Sequence, residues 1–192
     1  MLSGLNFVIN VNKKGLINIM LGIVMLGASN SGKSTIGKVV ARNLDLRYIS
    51  SGDIARQMNV DTELAKGKLA PEEEMRKRIL EAINSSDKSF ILDGFPRFYD
   101  QYEWLKMATD CEFIYIIIDV PDEQLMQRAN NRGRGDDNAI ATKLEFWYKQ
   151  TVPMINDIIN TGEVTYNINN ADGTGIWNNI QVVNNIVKEN IC

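Results

Sequence analysis

A chain of 192 residues with 44% apolar and 23% charged residues fits one globular domain with a filled core. The formal net charge of -3 provides no basic field for a nucleic-acid backbone, so we expect no nucleic-acid partner. The sequence has no histidine, which excludes histidine-dependent nucleophilic catalysis and histidine-ligated metal sites. Carboxylates, hydroxyls, lysine and arginine must carry any chemistry.

The N-terminal region does not have the pattern of a targeting segment. The apolar stretch 16–28 is interrupted by Asn18 and is too short to cross a bilayer. Two early lysines follow an apolar piece instead of preceding it, unlike a signal peptide. We therefore expect a cytoplasmic protein without a membrane partner. Residues 1–20 form an extension, either a small hairpin or a segment upstream of a true initiator at Met20.

The remaining chain alternates apolar runs of strand length with helix-period stretches, which predicts a parallel sheet wrapped by helices. Helices are predicted at 33–44, at 140–158 with a bend near Pro153, and at 176–187. A polar helical excursion at 56–86 has Pro71 in a first helical turn. The predicted strands are 21–26, 47–49, 90–92, 113–120 and 163–168.

The first strand leads into a phosphate-binding motif. Residues 27–34 match GxxxxGK(S/T) between a strand and a helix, as the mechanism of that motif requires. Backbone N–H groups there wrap a nucleoside triphosphate, Lys33 reaches its outer phosphates, and Ser34 is a ligand for Mg²⁺. The residues assigned to ATP are Gly27, Ser29, Asn30, Ser31, Gly32, Lys33, Ser34, Thr35 and Arg128.

A second motif follows the third predicted strand. Asp93 stands at the carboxyl end of a buried strand, where open parallel sheets present ligand groups, and it is assigned to Mg²⁺ through water. Arg97 follows a Phe-Pro turn that can aim its guanidinium at a phosphate. The alternative for this segment is a turn with a solvated arginine.

A charged segment lies between two predicted helical runs. It contains Arg128, Arg132 and Arg134, followed by Asp136 and Asp137. Such a run is usually solvated, but phosphoryl transfer needs mobile cations around the transferring group. We therefore predict that the arginines neutralise phosphate charge and that the aspartates hold them when the site closes.

Together these motifs resemble the adenylate kinase and nucleoside monophosphate kinase family over residues 21–187. The resemblance also includes the segments 50–56, 67–71, 119–121 and 148–153. It implies a strand order of 2-3-1-4-5 and a kinase that uses ATP and Mg²⁺ to phosphorylate AMP. The residues it assigns to AMP are Ser51, Gly52, Arg56, Leu69, Gly94, Arg97 and Gln101.

The resemblance implies that Gln101 reads the acceptor base. A carboxamide presents a donor and an acceptor together, which suits adenine, whereas the pyrimidine-specific relatives typically carry asparagine. The alternative is a solvent-exposed helix glutamine.

The sequence departs from the family in four places. Ser29 and Asn30 replace the usual Pro-Gly of the loop, although asparagine tolerates left-handed backbone. Only ten residues separate Arg56 from Gly67, so the flap is short, and the lid is very short. Lys143 replaces a helix arginine at the transferring phosphate, giving charge without a bidentate fork.

These observations predict a three-layer α/β P-loop NTPase fold with a five-stranded parallel sheet, a small helical flap and a very short lid. The core comprises 21–50, 86–127 and 139–192, the monophosphate flap 51–85 and the lid 128–138. The predicted partners of this monomer are the small nucleotides ATP and AMP. The alternatives are a UMP/CMP, broad-specificity or small-metabolite kinase, or a nucleotide-binding regulatory module with little turnover.

Overall fold

A computed structural model describes residues 20–58, 71–132 and 140–191, with Arg132 described by its backbone only. The strands are β1 (Leu21–Gly27), β2 (Arg47–Ser50), β3 (Phe90–Asp93), β4 (Glu112–Asp119) and β5 (Thr165–Asn169). They form one parallel sheet in the order β2-β3-β1-β4-β5. This confirms the predicted fold class and strand order.

Helices connect the strands and cover both faces of the sheet. They are α1 (Lys33–Asn43), α2 (Ser51–Gln57), α3 (Glu72–Asn84), α4 (Tyr99–Ala108), α5 (Asp122–Arg132), α6 (Ile140–Phe146), α7 (Val152–Asn160) and α8 (Ile176–Ile191). None of the helices in the described ranges is long and apolar enough to cross a membrane.

The central strand β1 shows how the core is divided between the two faces. Successive side chains of a strand point to opposite faces, and a parallel sheet is buried on both. Val24 and Leu26 join the apolar cluster formed with α3, α4 and α7, whereas Ile23 and Met25 join the cluster formed with α1 and α8. The helices on both faces therefore bury the apolar side chains of the sheet.

Three local features differ from the sequence prediction. Strand β5 begins at Thr165, where its pairing with Tyr115 of β4 starts, and not at Glu163 as predicted. A π-helical turn, Trp147–Thr151, joins α6 to α7 just before Pro153, since proline lacks the N–H of a regular turn and crowds the preceding one. Arg128, predicted between helices, lies inside α5.

The carboxyl ends of β1 and β3 bring the two sequence motifs together. Met25 pairs with Asp93 in the sheet register, and the N–H of Gly94 still donates to the Met25 carbonyl at 3.2 Å. The loop after β1 and the turn after β3 consequently face each other at one edge. The predicted flap and lid boundaries cross segments outside the described residues and stay predictions.

Candidate active site

The loop between β1 and α1 has the geometry of a phosphate cradle. Asn30 has φ 67° and Gly32 has φ 89°, so both adopt left-handed backbone, which asparagine tolerates. Left-handed residues turn successive N–H groups toward one side, which produces an anion-binding concavity at the N-terminus of α1. The Lys33 ammonium folds over this loop and donates to the Ala28 carbonyl at 3.0 Å.

A cleft of about 630 Å³ lies beside this loop and extends to the segment between β5 and α8. Arg128 lines it, and its Nη2 donates to the Asn170 carbonyl at 2.8 Å and to Asp172 Oδ1 at 2.5 Å. The remaining lining residues are Asn30, Gly32, Lys33, Ser34, Thr35, Asn131, Asn170, Ala171, Asp172, Gly173, Gly175 and Ile176. The cleft is large enough for the nucleoside of a triphosphate whose phosphates lie in the loop.

Asn170 connects this cleft to the phosphate loop. Its Nδ2 donates to the Ser31 carbonyl at 2.8 Å, and its Oδ1 accepts from Asn179 Nδ2 at 2.8 Å. A Cβ on Gly32 would lie 2.5 Å from Asn170 Nδ2, so only glycine allows this approach. Sequence reasoning did not select Asn170. The only signal was its position two residues after a predicted strand, at the functional edge of the sheet.

Ser34 and Asp93, the predicted magnesium residues, lie in direct contact. Ser34 Oγ donates to Asp93 Oδ2 at 2.5 Å, and the Tyr48 hydroxyl donates to the same oxygen. Burial, followed by the Asp93 charge, raises the pKa of Tyr48 above its ordinary value. Asp93 Oδ1 is buried and has no hydrogen-bond partner in the described part of the chain. An unpaired buried carboxylate oxygen beside a hydroxyl fits a hydrated Mg²⁺, which prefers oxygen ligands and keeps several waters.

Arg97 lies across a second pocket from the phosphate loop. The Arg97 Nε donates to the Gly94 carbonyl at 2.9 Å, and the Arg97 carbonyl accepts from the Thr151 hydroxyl at 2.8 Å. Burial lowers the pKa of the Arg97 guanidinium, and the Asp93 carboxylate opposes this shift. The pocket, of about 60 Å³, is lined by Leu26, Gly27, Ala28, Ser29, Lys33, Gly94, Pro96, Arg97, Lys143, Phe146, Trp147 and Thr151. The structure thus brings Lys33, Arg97 and Lys143 together.

The predicted acceptor residues occupy the β2–α2 junction and the start of α4. The buried Ser51 hydroxyl donates to the Gly94 carbonyl at 2.8 Å, and Arg56 pairs with Asp53 on the surface of α2. Gln101 is buried, so the alternative of a solvent-exposed glutamine is wrong. Its Oε1 accepts the backbone N–H of Arg97 at 2.8 Å.

Several predicted residues lie outside the described part of the chain. They are Leu69, Arg134, Asp136 and Asp137. Arg132, within the predicted lid, ends α5, and its side chain is likewise not described. The roles assigned to these residues stay predictions.

The phosphate loop faces the Ser34–Asp93 pair and a pocket lined by Lys33, Arg97 and Lys143, an arrangement typical of a P-loop phosphotransferase. A family model described as an AAA domain matches residues 26–143. The chain is 34% identical to an adenylate kinase of Phocaeicola vulgatus over 165 residues, which cover 75% of this chain and 87% of the relative.

Two further relatives carry the same name. An adenylate kinase of Parabacteroides distasonis is 32% identical over 166 residues, covering 75% of this chain and 87% of the relative. Adenylate kinase 1 of Synechocystis is 36% identical over 151 residues, covering 70% and 81% respectively. The chain belongs to the adenylate kinase family, which confirms the family predicted from the motifs.

Proposed function

We propose that the chain is an adenylate kinase that transfers the γ-phosphoryl group of ATP to AMP and releases two molecules of ADP. One observation carries this proposal: a single pocket lined by Lys33, Arg97 and Lys143 connects the phosphate loop with the turn at 93–97. Cations from both sides of one pocket suit a donor and an acceptor phosphate that approach each other.

The chemistry is a direct in-line displacement. An oxygen of the AMP phosphate attacks the γ-phosphorus while the bond from that phosphorus to the β,γ-bridging oxygen breaks, so no covalent enzyme intermediate is needed. Lys33 is placed to neutralise the donor phosphates, and Arg97 and Lys143 are placed to neutralise charge on the transferring group and the acceptor. The chain thus acts mainly by positioning and electrostatic stabilisation.

Ser34 and Asp93 are the residues that would hold Mg²⁺, Ser34 through its hydroxyl and Asp93 through water. When bound, Mg²⁺ neutralises charge on the donor phosphates and orients them. Tight packing supports this role for the protein groups, because Asp93 is only 3% exposed and Ser34 contacts it directly. The two side chains are therefore positioned before any nucleotide arrives.

The nucleoside of ATP is assigned to the larger cleft along Arg128 and the segment after β5. AMP is assigned to the opposite side, among Ser51, Arg56 and Gln101. The hydrogen bond from the Arg97 N–H to Gln101 Oε1 supports this assignment. It places the residue proposed to read the base next to the residue proposed to bind the acceptor phosphate. We also propose that the chain acts as a cytoplasmic monomer on free nucleotides, which light scattering and cell fractionation would test.

The proposed function is tested by measuring ADP formation from ATP and Mg²⁺ with AMP, CMP, UMP and GMP as acceptors. We expect AMP to give the highest kcat/KM. A preference for UMP or CMP would favour a pyrimidine kinase, and comparable rates with all four would favour a broad-specificity enzyme. ATP binding without transfer to any monophosphate would contradict the proposal and favour a regulatory module.

A further inference from the structure

Tyr48 reaches from β2 to the carboxylate proposed for magnesium binding. Its hydroxyl donates to Asp93 Oδ2, the oxygen that also accepts from Ser34 Oγ. We propose that Tyr48 is a positioning residue that orients the Asp93 carboxylate for the metal bound with ATP. This inference rests on the function proposed above and extends it to a side chain outside the sequence motifs.

The fold makes specific room for the tyrosine ring. The ring packs with the apolar cluster between the sheet and α1. A Cβ on Gly37 of α1 would lie 3.0 Å from Tyr48 Cε2 and 2.7 Å from Met25 Sδ, so glycine is needed for the helix to pass this close. The Lys38 ammonium lies 5.5 Å from the ring centroid on the outer side. Packing thus directs the hydroxyl toward the end of β3.

The Ser34 and Tyr48 hydroxyl groups give the two oxygens of the Asp93 carboxylate different environments. Oδ2 accepts from both Ser34 and Tyr48, whereas Oδ1 is buried without a hydrogen-bond partner among the described residues. Two donors on one oxygen restrict rotation of the carboxylate and leave the other oxygen for a metal-bound water. Ser34 would change partners when it binds the metal, but Tyr48 can keep its hydrogen bond. Tyr48 therefore maintains the orientation in both states.

A purely structural role would be different. In that case the hydroxyl would only satisfy a buried carboxylate, and its loss would lower stability or weaken nucleotide binding whether or not metal is present. A positioning role predicts an effect that depends on Mg²⁺. The ratio of ATP affinities with and without Mg²⁺ separates these two cases, because packing losses cancel in the ratio.

The test compares the wild-type protein with Tyr48→Phe, which removes one oxygen and keeps the ring. Calorimetry measures the Kd of a non-hydrolysable ATP analogue with Mg²⁺ and with EDTA. We expect the affinity gain from Mg²⁺ to fall about tenfold or more in the variant, as for loss of a bond to a charged group, while the metal-free Kd stays within about twofold. The Mg²⁺ concentration for half-maximal ADP formation should rise in parallel.

Tyr102→Phe is the matched control, because Tyr102 also donates to a partly buried carboxylate, Glu163 Oε1 at 3.0 Å, away from the proposed metal. Its Mg²⁺ dependence should equal that of the wild type. An unchanged affinity ratio in Tyr48→Phe, equal weakening with and without metal, or loss of the fold would each overturn the proposal. The calorimetric measurement needs no acceptor nucleotide. A wild-type protein that binds Mg²⁺ and ATP without phosphorylating AMP would therefore contradict only the proposed function.

Discussion

Gln101 offers the sharpest test of acceptor recognition, because two substitutions separate the two ends of its amide. The side chain is 4% exposed, and its Oε1 accepts the Arg97 N–H at 2.8 Å. This hydrogen bond uses only the amide oxygen, and under the proposed function the Nε2 donor is assigned to the adenine ring. Gln101→Glu keeps an acceptor for Arg97 but removes the donor, whereas Gln101→Ala removes both.

The expected magnitudes follow from these contacts. Gln101→Ala leaves the Arg97 N–H without its acceptor and should lower the free energy of unfolding by about 1 to 3 kcal/mol. Gln101→Glu retains that contact but replaces a buried neutral amide with a carboxylate, so we expect part of the stability loss to remain. Both variants lose the donor to the base, which should cost about 1 to 3 kcal/mol of transition-state binding for AMP. This corresponds to a roughly 5- to 150-fold fall in kcat/KM for AMP.

The assay measures kcat/KM for AMP, CMP, UMP and GMP in the three proteins, together with thermal unfolding. We expect the folded Gln101→Glu protein to lose most of the AMP preference. A stable Gln101→Glu protein with an unchanged preference would refute the role of Gln101. Base reading would then lie elsewhere, most plainly with Ser51 or the backbone at 67–71.

Further predictions concern the phosphate groups and the fold. Lys33→Ala or Arg97→Ala should slow ADP formation by about 10³- to 10⁵-fold at an unchanged melting temperature, and full activity of folded Arg97→Ala would contradict the mechanism. Lys143→Ala should slow transfer strongly in the same assay, whereas Lys149→Ala, whose exposed ammonium pairs with Glu145 at 2.6 Å, should not; equal effects would contradict the role of Lys143. Deleting residues 1–19 should leave the melting temperature and kcat nearly unchanged, since β1 begins at Leu21, and a large fall in melting temperature would refute this. Asn170→Ala should lower the free energy of unfolding by about 2 to 4 kcal/mol and raise the Kd of ATP, measured by denaturation and calorimetry, because two buried hydrogen bonds are lost. Wild-type stability of Asn170→Ala would show that this asparagine does not hold the loop.

The parts of the site that were predictable are those encoded by short continuous segments. The phosphate loop needs a strand, a run of turn residues and a helix in sequence, so its position followed from residues 21–44 alone. The left-handed backbone of Asn30 was only expected to be tolerated, in place of the family's usual glycine. Asp93 was predictable for a similar reason, because a carboxylate directly after a buried apolar run lies at the carboxyl edge of a parallel sheet. The strand order came from the family resemblance and not from periodicity.

Other features depend on contacts that no local pattern encodes. The Asn170–Ser31 hydrogen bond joins residues separated by 139 positions, and it exists only because β5 lies at one end of the sheet beside β4. The start of β5 was misplaced because Val164 fits a strand pattern, although its carbonyl only accepts from Tyr115 before the ladder begins. Arg128 was misplaced because a run of arginines and asparagines gives the same polar pattern at the end of a helix as in a loop.

Tyr48 illustrates why the supporting side chains of a site are harder to predict than the groups that meet the substrate. In the sequence, a tyrosine in a short strand is an ordinary half-buried residue, and its partner on β3 in the register is the apolar Ile91. Its contact with Asp93 requires the pairing of β2 with β3, the glycine at position 37 and the close passage of α1 at the same time. Residues that contact phosphate are limited to a few chemical types at fixed spacing, whereas any donor of suitable reach can orient a buried carboxylate. The structure is therefore needed to find such residues, and metal-dependent binding is needed to distinguish positioning from packing.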